Sequence, residues 1–199
     1  MSRAPQQRRL ETRARLLEVA AAQITASGYS GLRVEDVVAE AGVAKGTLFS
    51  HFGDKNGLLA AVIGPRIMAV LDETEALPAP QTLEELIDRL LPVVQFVAQD
   101  RVIFDLLLRY SGTTGTETDA VITQSFFRQI SLWSGWVTEL QDNSALRQDQ
   151  PASVLAEGMQ AFLNHILALS FCAAHDAPGN FREELLTYLS PWLVLPSGT

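Results

Sequence analysis

Within six positions, Lys45, Gly46, Thr47, Phe49 and Ser50 bring together a cation, a residue without a side chain, two hydroxyls and an aromatic ring. These groups suit contact with a polyanion. Lysine pairs with phosphate, glycine lets a backbone come close, and small hydroxyls reach phosphate oxygens or base edges. On a helix of 3.6 residues per turn, Leu48 and Phe52 turn inward and the other five face out. The residues before them supply a partner helix. From about Val34 to Ala41, the apolar positions Val34, Val37, Val38 and Ala41 recur at spacings of three and four. Gly42 then provides a left-handed stop, and a second helix runs from about Ala44 to His51. Two short helices across a tight turn can present the first turn of the second to a major groove. The same pattern also occurs in helical bundles that bind no nucleic acid.

This stretch, with the helix before it, resembles the tetracycline-repressor (TetR) family of bacterial transcription regulators. Leu16, Leu17, Ala20 and Ile24 stand at the family's first-helix core positions. Gly28 and Tyr29 close that helix, and Ala41-Gly42-Val43 makes the turn. Lys45-Gly46-Thr47-Leu48-Phe49, His51-Phe52 and Asp54-Lys55 complete the match, which is detailed over the first third of the chain. The resemblance implies that Arg33, Lys45, Gly46, Thr47, Phe49, His51 and Lys55 touch DNA. Three positions depart from the family pattern. Phe49 replaces a usual tyrosine, Arg33 replaces a usual Ser/Thr, and Ala44 replaces a frequent Ser/Thr. The last two remove common N-caps, and Arg33 adds a cation that can meet phosphate.

Overall charge runs against a DNA partner, because the formal net charge is -8. Its distribution does not. Residues 1–66 hold nine Lys/Arg against six Asp/Glu, and the remainder holds six against seventeen. A basic head therefore sits on an acidic body. Five of the nine cations (Arg3, Arg8, Arg9, Arg13 and Arg15) lie in the first fifteen residues. They read either as an arm that tracks phosphate or the minor groove, or as a solubilising tail.

Beyond Lys55 the pattern stays helical. A fourth helix is expected from Lys55 to about Ala76, with a kink or break at Gly64-Pro65. The next should run from Thr82, as N-cap, to about Gln99 with a bend at Pro92, followed by one from Arg101 to about Ser111. Gly112 to Thr118 is polar and reads as a loop. Residues 119–142 resume a helix, and the last two run from about Ala152 to His175 and from Asn180 to Leu193, divided by Asp176 to Gly179. From Ser153 to His175 the only charged side chain is Glu157, and apolar residues surround that helix instead of striping it. A helix apolar all round must be buried all round. A second copy is the economical cover, predicting a two-fold dimer through Phe162, His165, Ile166, Leu169, Phe181, Leu185, Tyr188, Leu189 and Trp192. The family resemblance implies the same four-helix contact. The alternative is a thick single-chain core.

Family resemblance further implies an apolar effector cavity in the body. Its candidate lining is Phe96, Phe104, Arg109, Phe127, Trp133, Trp136 and Phe162, with Phe126 also among the aromatics. Gln95, Arg109, Asn164 and His165 are the polar groups available to orient a ligand. Aromatics at helical spacing also serve as plain core.

The sequence thus predicts an all-α fold of about nine helices. Residues 1–54 form an N-terminal arm and a three-helix helix-turn-helix DNA-binding domain, and residues 55–199 form a helical ligand-binding and dimerisation domain. Expected partners are double-stranded operator DNA, a second copy of the chain, and a small, largely apolar ligand. Repression with release by the ligand is the working function, and a helical lipid- or drug-binding protein without DNA activity is the alternative. No nucleophile elbow, zincin motif or phosphate-cradling glycine loop points to an enzyme, and nothing calls for a cofactor. Cys172, His165 and His175 lack a zinc spacing, so no metal is expected. Cys172 lies in an apolar stretch and is expected to pack. No apolar run approaches membrane-spanning length, and the N-terminus lacks an apolar secretion segment, so a cytoplasmic protein is expected.

Overall fold

The structure, a computed structural model, describes residues 3–112, 118–174 and 180–195. Nine helices make up the described part: α1 (Arg3–Gly31), α2 (Val34–Ala41), α3 (Lys45–Phe52), α4 (Lys55–Glu75), α5 (Leu83–Val97), α6 (Arg101–Tyr110), α7 (Ala120–Asp142), α8 (Ala152–Ser170) and α9 (Phe181–Leu193). Extended pairing among the described residues is limited to an isolated bridge between Ser111 and Thr118. No helix among them is long and apolar enough to cross a membrane.

Local chemistry sets most helix ends. Gly42 adopts φ 65° and ψ 39°, and its N–H reaches the carbonyls of Val38 and Ala39. That left-handed step, cheap only for glycine, turns the chain from α2 into α3. Side chains of Asp54, Thr82, Asp100, Asp119 and Asn180 accept from first-turn amides of α4, α5, α6, α7 and α9. Arg33 and Ala44, by contrast, leave α2 and α3 without a side-chain cap.

The structure corrects four expectations. The basic N-terminus is not a separate arm: it is helical from Arg3 and continuous with α1. The Gly64-Pro65 step does not break α4. Pro65 is exposed, so its ring meets solvent, while Gly64 is buried beside Val121 and Ile122 of α7. Helix α8 stops at Ser170, with Phe171 as its cap, instead of reaching His175. Cys172 is exposed and not packed. His175, Asp176–Gly179 and most of the Gly112–Thr118 loop lie outside the described residues.

One continuous apolar cluster runs from Leu16 in α1 to Leu193 in α9. Helix α4 is its spine, since it packs on α1 and α3 of the head and on α5, α6 and α7 of the body. Helix α4 is therefore the element that head and body share. Helices α7, α8 and α9 pack in succession, and α5 closes against α9. Gly158 lets α9 approach α8 closely: a Cβ there would meet the Trp192 ring at 2.4 Å. The Trp192 indole N–H donates to the Leu155 carbonyl at 3.1 Å.

Candidate nucleic-acid interface and body cavity

Helix α3 turns Leu48 wholly inward and leaves Lys45, Gly46, Phe49 and Ser50 exposed, with Thr47 and His51 half-buried. Phe49 is 38% exposed, a large apolar ring left in water. Lys45 does not point freely outward. Its Nζ sits 2.6 Å from Glu35 Oε1 in the first turn of α2, and 5.7 Å from the Phe49 ring centre. The hydrogen bond from Lys45 holds the Glu35 carboxyl below its ordinary pKa, aided by a backbone amide and by the lysine charge. A carboxylate thus shares the face that carries the cation. Arg33 is exposed at the N-cap of α2, 3.9 Å from Asp36. Lys55 is half-buried in the first turn of α4.

Two arginines of α1 extend this surface. Arg13 lies over the Phe52 ring at 4.7 Å, and Arg9 and Arg13 are near enough to act on His51. Burial first, then these two charges, push the His51 pKa below its ordinary value, which favours the neutral ring. The sequence marked Arg13 only as one of the N-terminal cations, and its contact with Phe52, 39 positions later, had no local signal.

A second cluster joins head to body. The Arg66 guanidinium of α4 donates to the Tyr29 hydroxyl and lies over both the Tyr29 ring and the Phe96 ring of α5. Asp100, the N-cap of α6, accepts from the Ser30 amide through Oδ2 and from the Val102 amide through Oδ1. Burial raises the Tyr29 pKa, against the opposing charge of Arg66. The end of α1 is thereby tied to α4, α5 and α6 at one point.

The body holds a cavity of about 40 Å³ between α4, α5, α6, α7 and α8. Of the predicted lining, Phe104 is there, and so are Phe126 and Asn164. The remaining assignments are corrected. Trp133 is fully buried in the core, Phe127 is 67% exposed on the outside of α7, and Trp136 borders a surface groove with Arg128 and Glu75. Phe96 packs under Arg66, Phe162 stacks on Tyr188 at 5.8 Å, and Arg109, Gln95 and His165 are exposed away from the cavity. Missed were Ser125, Gln129 and Gln160, which line it. Their signal was polar residues at a spacing of four, Ser125 with Gln129 and Gln160 with Asn164, on helices otherwise rich in apolar residues.

The dimer residues also divide. Ile166, Leu185 and Leu189 are at most 1% exposed and belong to the chain's own core. Phe162, Leu169, Phe181, Tyr188 and Trp192 are half-buried, and His165 is exposed, edge-on to Tyr188 at 5.3 Å. Val154 adds a side chain 42% exposed on the same helix.

Comparison with known proteins agrees with this architecture. Residues 16–62 match the family described as bacterial regulatory proteins, tetR family. The HTH-type transcriptional repressor SCO4008 of Streptomyces coelicolor is 35% identical over 81 residues, 40% of this chain and 41% of that repressor. The match therefore spans less than half of the repressor's length. Among solved structures, Thermus thermophilus FadR, a TetR-family repressor in complex with lauroyl-CoA, superposes with a TM-score of 0.65 at 19% identity, over 94% of this chain and 98% of its own. A TetR-family regulator from Pectobacterium atrosepticum gives 0.64 at 21% identity over 99% and 100% of the two chains. A Saccharomonospora viridis protein in complex with choline gives 0.65 at 18% identity over 94% and 99%. At these identities the likeness establishes the fold.

Proposed function

We propose that the chain, whose residues 16–62 match the family described as bacterial regulatory proteins, tetR family, is a ligand-responsive repressor binding an inverted-repeat operator as a homodimer. The observation that carries the reading is the outer face of α3. Lys45, Gly46, Phe49 and Ser50 are exposed there, at the end of a helix whose first amides no side chain caps. Uncapped amides at the positive end of a helix favour phosphate, so the missing caps of α2 and α3 suit the proposed partner. Arg33, Thr47, His51 and Lys55 flank that face and contribute contacts to backbone or bases.

Two copies of α3 then enter successive major grooves about 34 to 36 Å apart. The outward faces of α8 and α9 join them, through Phe162, His165, Leu169, Tyr188 and Val154. Filling the body cavity shifts α4, and the Arg66, Tyr29 and Asp100 contacts carry that shift to α1. Coupling of this kind is worth about 1 to 3 kcal/mol and is reciprocal between effector and DNA. A gel-shift series on the DNA upstream of the chain's own coding sequence, at stated salt, tests the reading. A sequence-specific complex supports it, and equal affinity for scrambled duplex contradicts it.

Two variants probe the parts. Glu35→Gln frees Lys45 and removes a negative charge from the DNA face. Operator affinity is expected to rise about three- to tenfold, with a salt dependence steeper by about one ion per head. Anisotropy titrations at several salt concentrations measure both. Tyr188→Asp places a carboxylate within the proposed contact, where Tyr188 packs on the rings of Phe162 and His165. The variant is expected to sediment as a monomer at micromolar concentration and to lose operator binding, with its helix content retained.

A further inference from the structure

The cavity that the proposed regulator offers its effector has an uneven lining. Most of its wall is apolar, with Phe104 and Phe126 the largest side chains, and none of the described residues lining it is charged. Its polar groups are amides and hydroxyls from α6, α7 and α8. Most are already occupied. The Ser125 hydroxyl donates to the Ile122 carbonyl at 2.8 Å, Gln129 Nε2 to the Ser125 carbonyl at 3.3 Å, and Gln160 Nε2 to Asn164 Oδ1 at 3.0 Å. Among the buried side-chain polar atoms of the described residues, Gln160 Oε1 has no hydrogen-bond partner. A buried acceptor left unpaired is costly, and native proteins rarely keep one without a reason.

Resting on the reading of this cavity as an effector site, we propose that it takes a small neutral molecule: an apolar ring carrying one O–H or N–H donor, seated on Gln160 Oε1. Each part of that description has a separate cause. Neutrality follows from the lining, because an ion placed among uncharged side chains away from water has nothing to replace its hydration. The donor follows from the orphan oxygen, which can only accept. Small size follows from a volume of about 40 Å³, where a single water needs about 10–15 Å³. The ring follows from the two phenylalanines, whose faces and edges pack well against another aromatic group. Among the described residues of this wall a carboxylate would find no cation, and a quaternary ammonium no carboxylate. The chain therefore reads a different chemistry from the acyl-CoA and choline present in the Thermus thermophilus and Saccharomonospora viridis structures.

Phenol, toluene and benzoate separate these features, since the first two differ mainly in O–H against CH₃ and the third adds an anionic charge. NMR titration of the full chain is expected to show phenol binding at least about tenfold tighter than toluene, and benzoate not binding. In Gln160→Leu the preference for phenol should vanish while thermal stability holds or rises, because the substitution removes an unpaired buried oxygen. Gln160→Met, an unbranched side chain of similar length, gives the same reading should the leucine variant fail to fold. A glutamine with a merely structural role would leave the phenol-to-toluene ratio unchanged. Equal binding of phenol and toluene, binding of benzoate, failure of all three probes, or a variant that keeps the preference would each overturn the assignment. Operator binding measured on the same preparation separates the two readings: if it persists, only the ligand class has failed.

Discussion

Lys45→Glu is expected to lower operator affinity about a hundredfold or more while leaving the fold and the dimer intact. Lys45 opens α3, where a cation sits at the positive end of the helix and an acidic residue is favoured. The substitution therefore adds nothing unfavourable to the helix dipole, and its costs to the fold are the loss of the exposed Lys45 contacts with Glu35 and Phe49 and a mild repulsion from Glu35. On DNA the balance reverses. Each head loses a positive charge and gains a negative one against phosphate, and a dimer does so twice, which accounts for about 3 kcal/mol or more. Fluorescence anisotropy with a labelled operator, alongside thermal melting, measures both quantities. Retained affinity would mean that α3 is not the element entering the groove.

The second large effect concerns how α3 is aimed. Gly57 lies in the first turn of α4, and a Cβ there would stand 1.9 Å from the Phe52 carbonyl oxygen at the end of α3. No rotamer relieves a clash with backbone. Gly57→Ala must displace the α3–α4 turn, and with it the Gly57 amide that donates to Asp54 Oδ1 at 2.8 Å. The loss is expected to reach about 3 kcal/mol, a fall in Tm of about 6 to 12 °C for a chain of this size. Operator affinity should fall as well, because the recognition face turns with its helix. Gly46→Ala is the control, since nothing lies within 4 Å of a Cβ at that position. It should melt normally and weaken DNA binding only through the methyl group it places on the exposed face of α3. Equal melting of the two variants would contradict the steric account.

The parts of the molecule legible in the sequence were those set by local chemistry. The α2 boundaries, the Gly42 stop and the Thr82 cap depend on residues within one helical turn of each other, so spacing alone predicted them. Side-chain destinations across helices did not follow in the same way. Phe126 and Phe127 are neighbours in sequence, yet one lines the cavity and the other faces water, because adjacent helix positions differ by about 100°. Which of them meets the cavity depends on how α7 is rotated against α4 and α8, and periodicity does not fix that angle when both neighbours are aromatic. The same holds for Ile166, Leu185 and Leu189. Their apolar character predicted burial, but not whether the chain itself or a second copy would provide it. The Lys45–Glu35 pair spans ten residues and the Arg66–Tyr29 contact thirty-seven, so both arise only from the packing of α2 on α3 and of α1 on α4. Polar positions on α7 and α8 carried the most information about the cavity, although they are less conspicuous than the aromatics.

The central claim is that paired copies of α3 read DNA together. Sedimentation velocity of the full chain with a duplex from its upstream region, combined with a footprint on the same duplex, addresses it most directly. Two chains per duplex, protecting half-sites about one helical turn apart, is the predicted result. One chain per duplex, or protection independent of sequence, would contradict it.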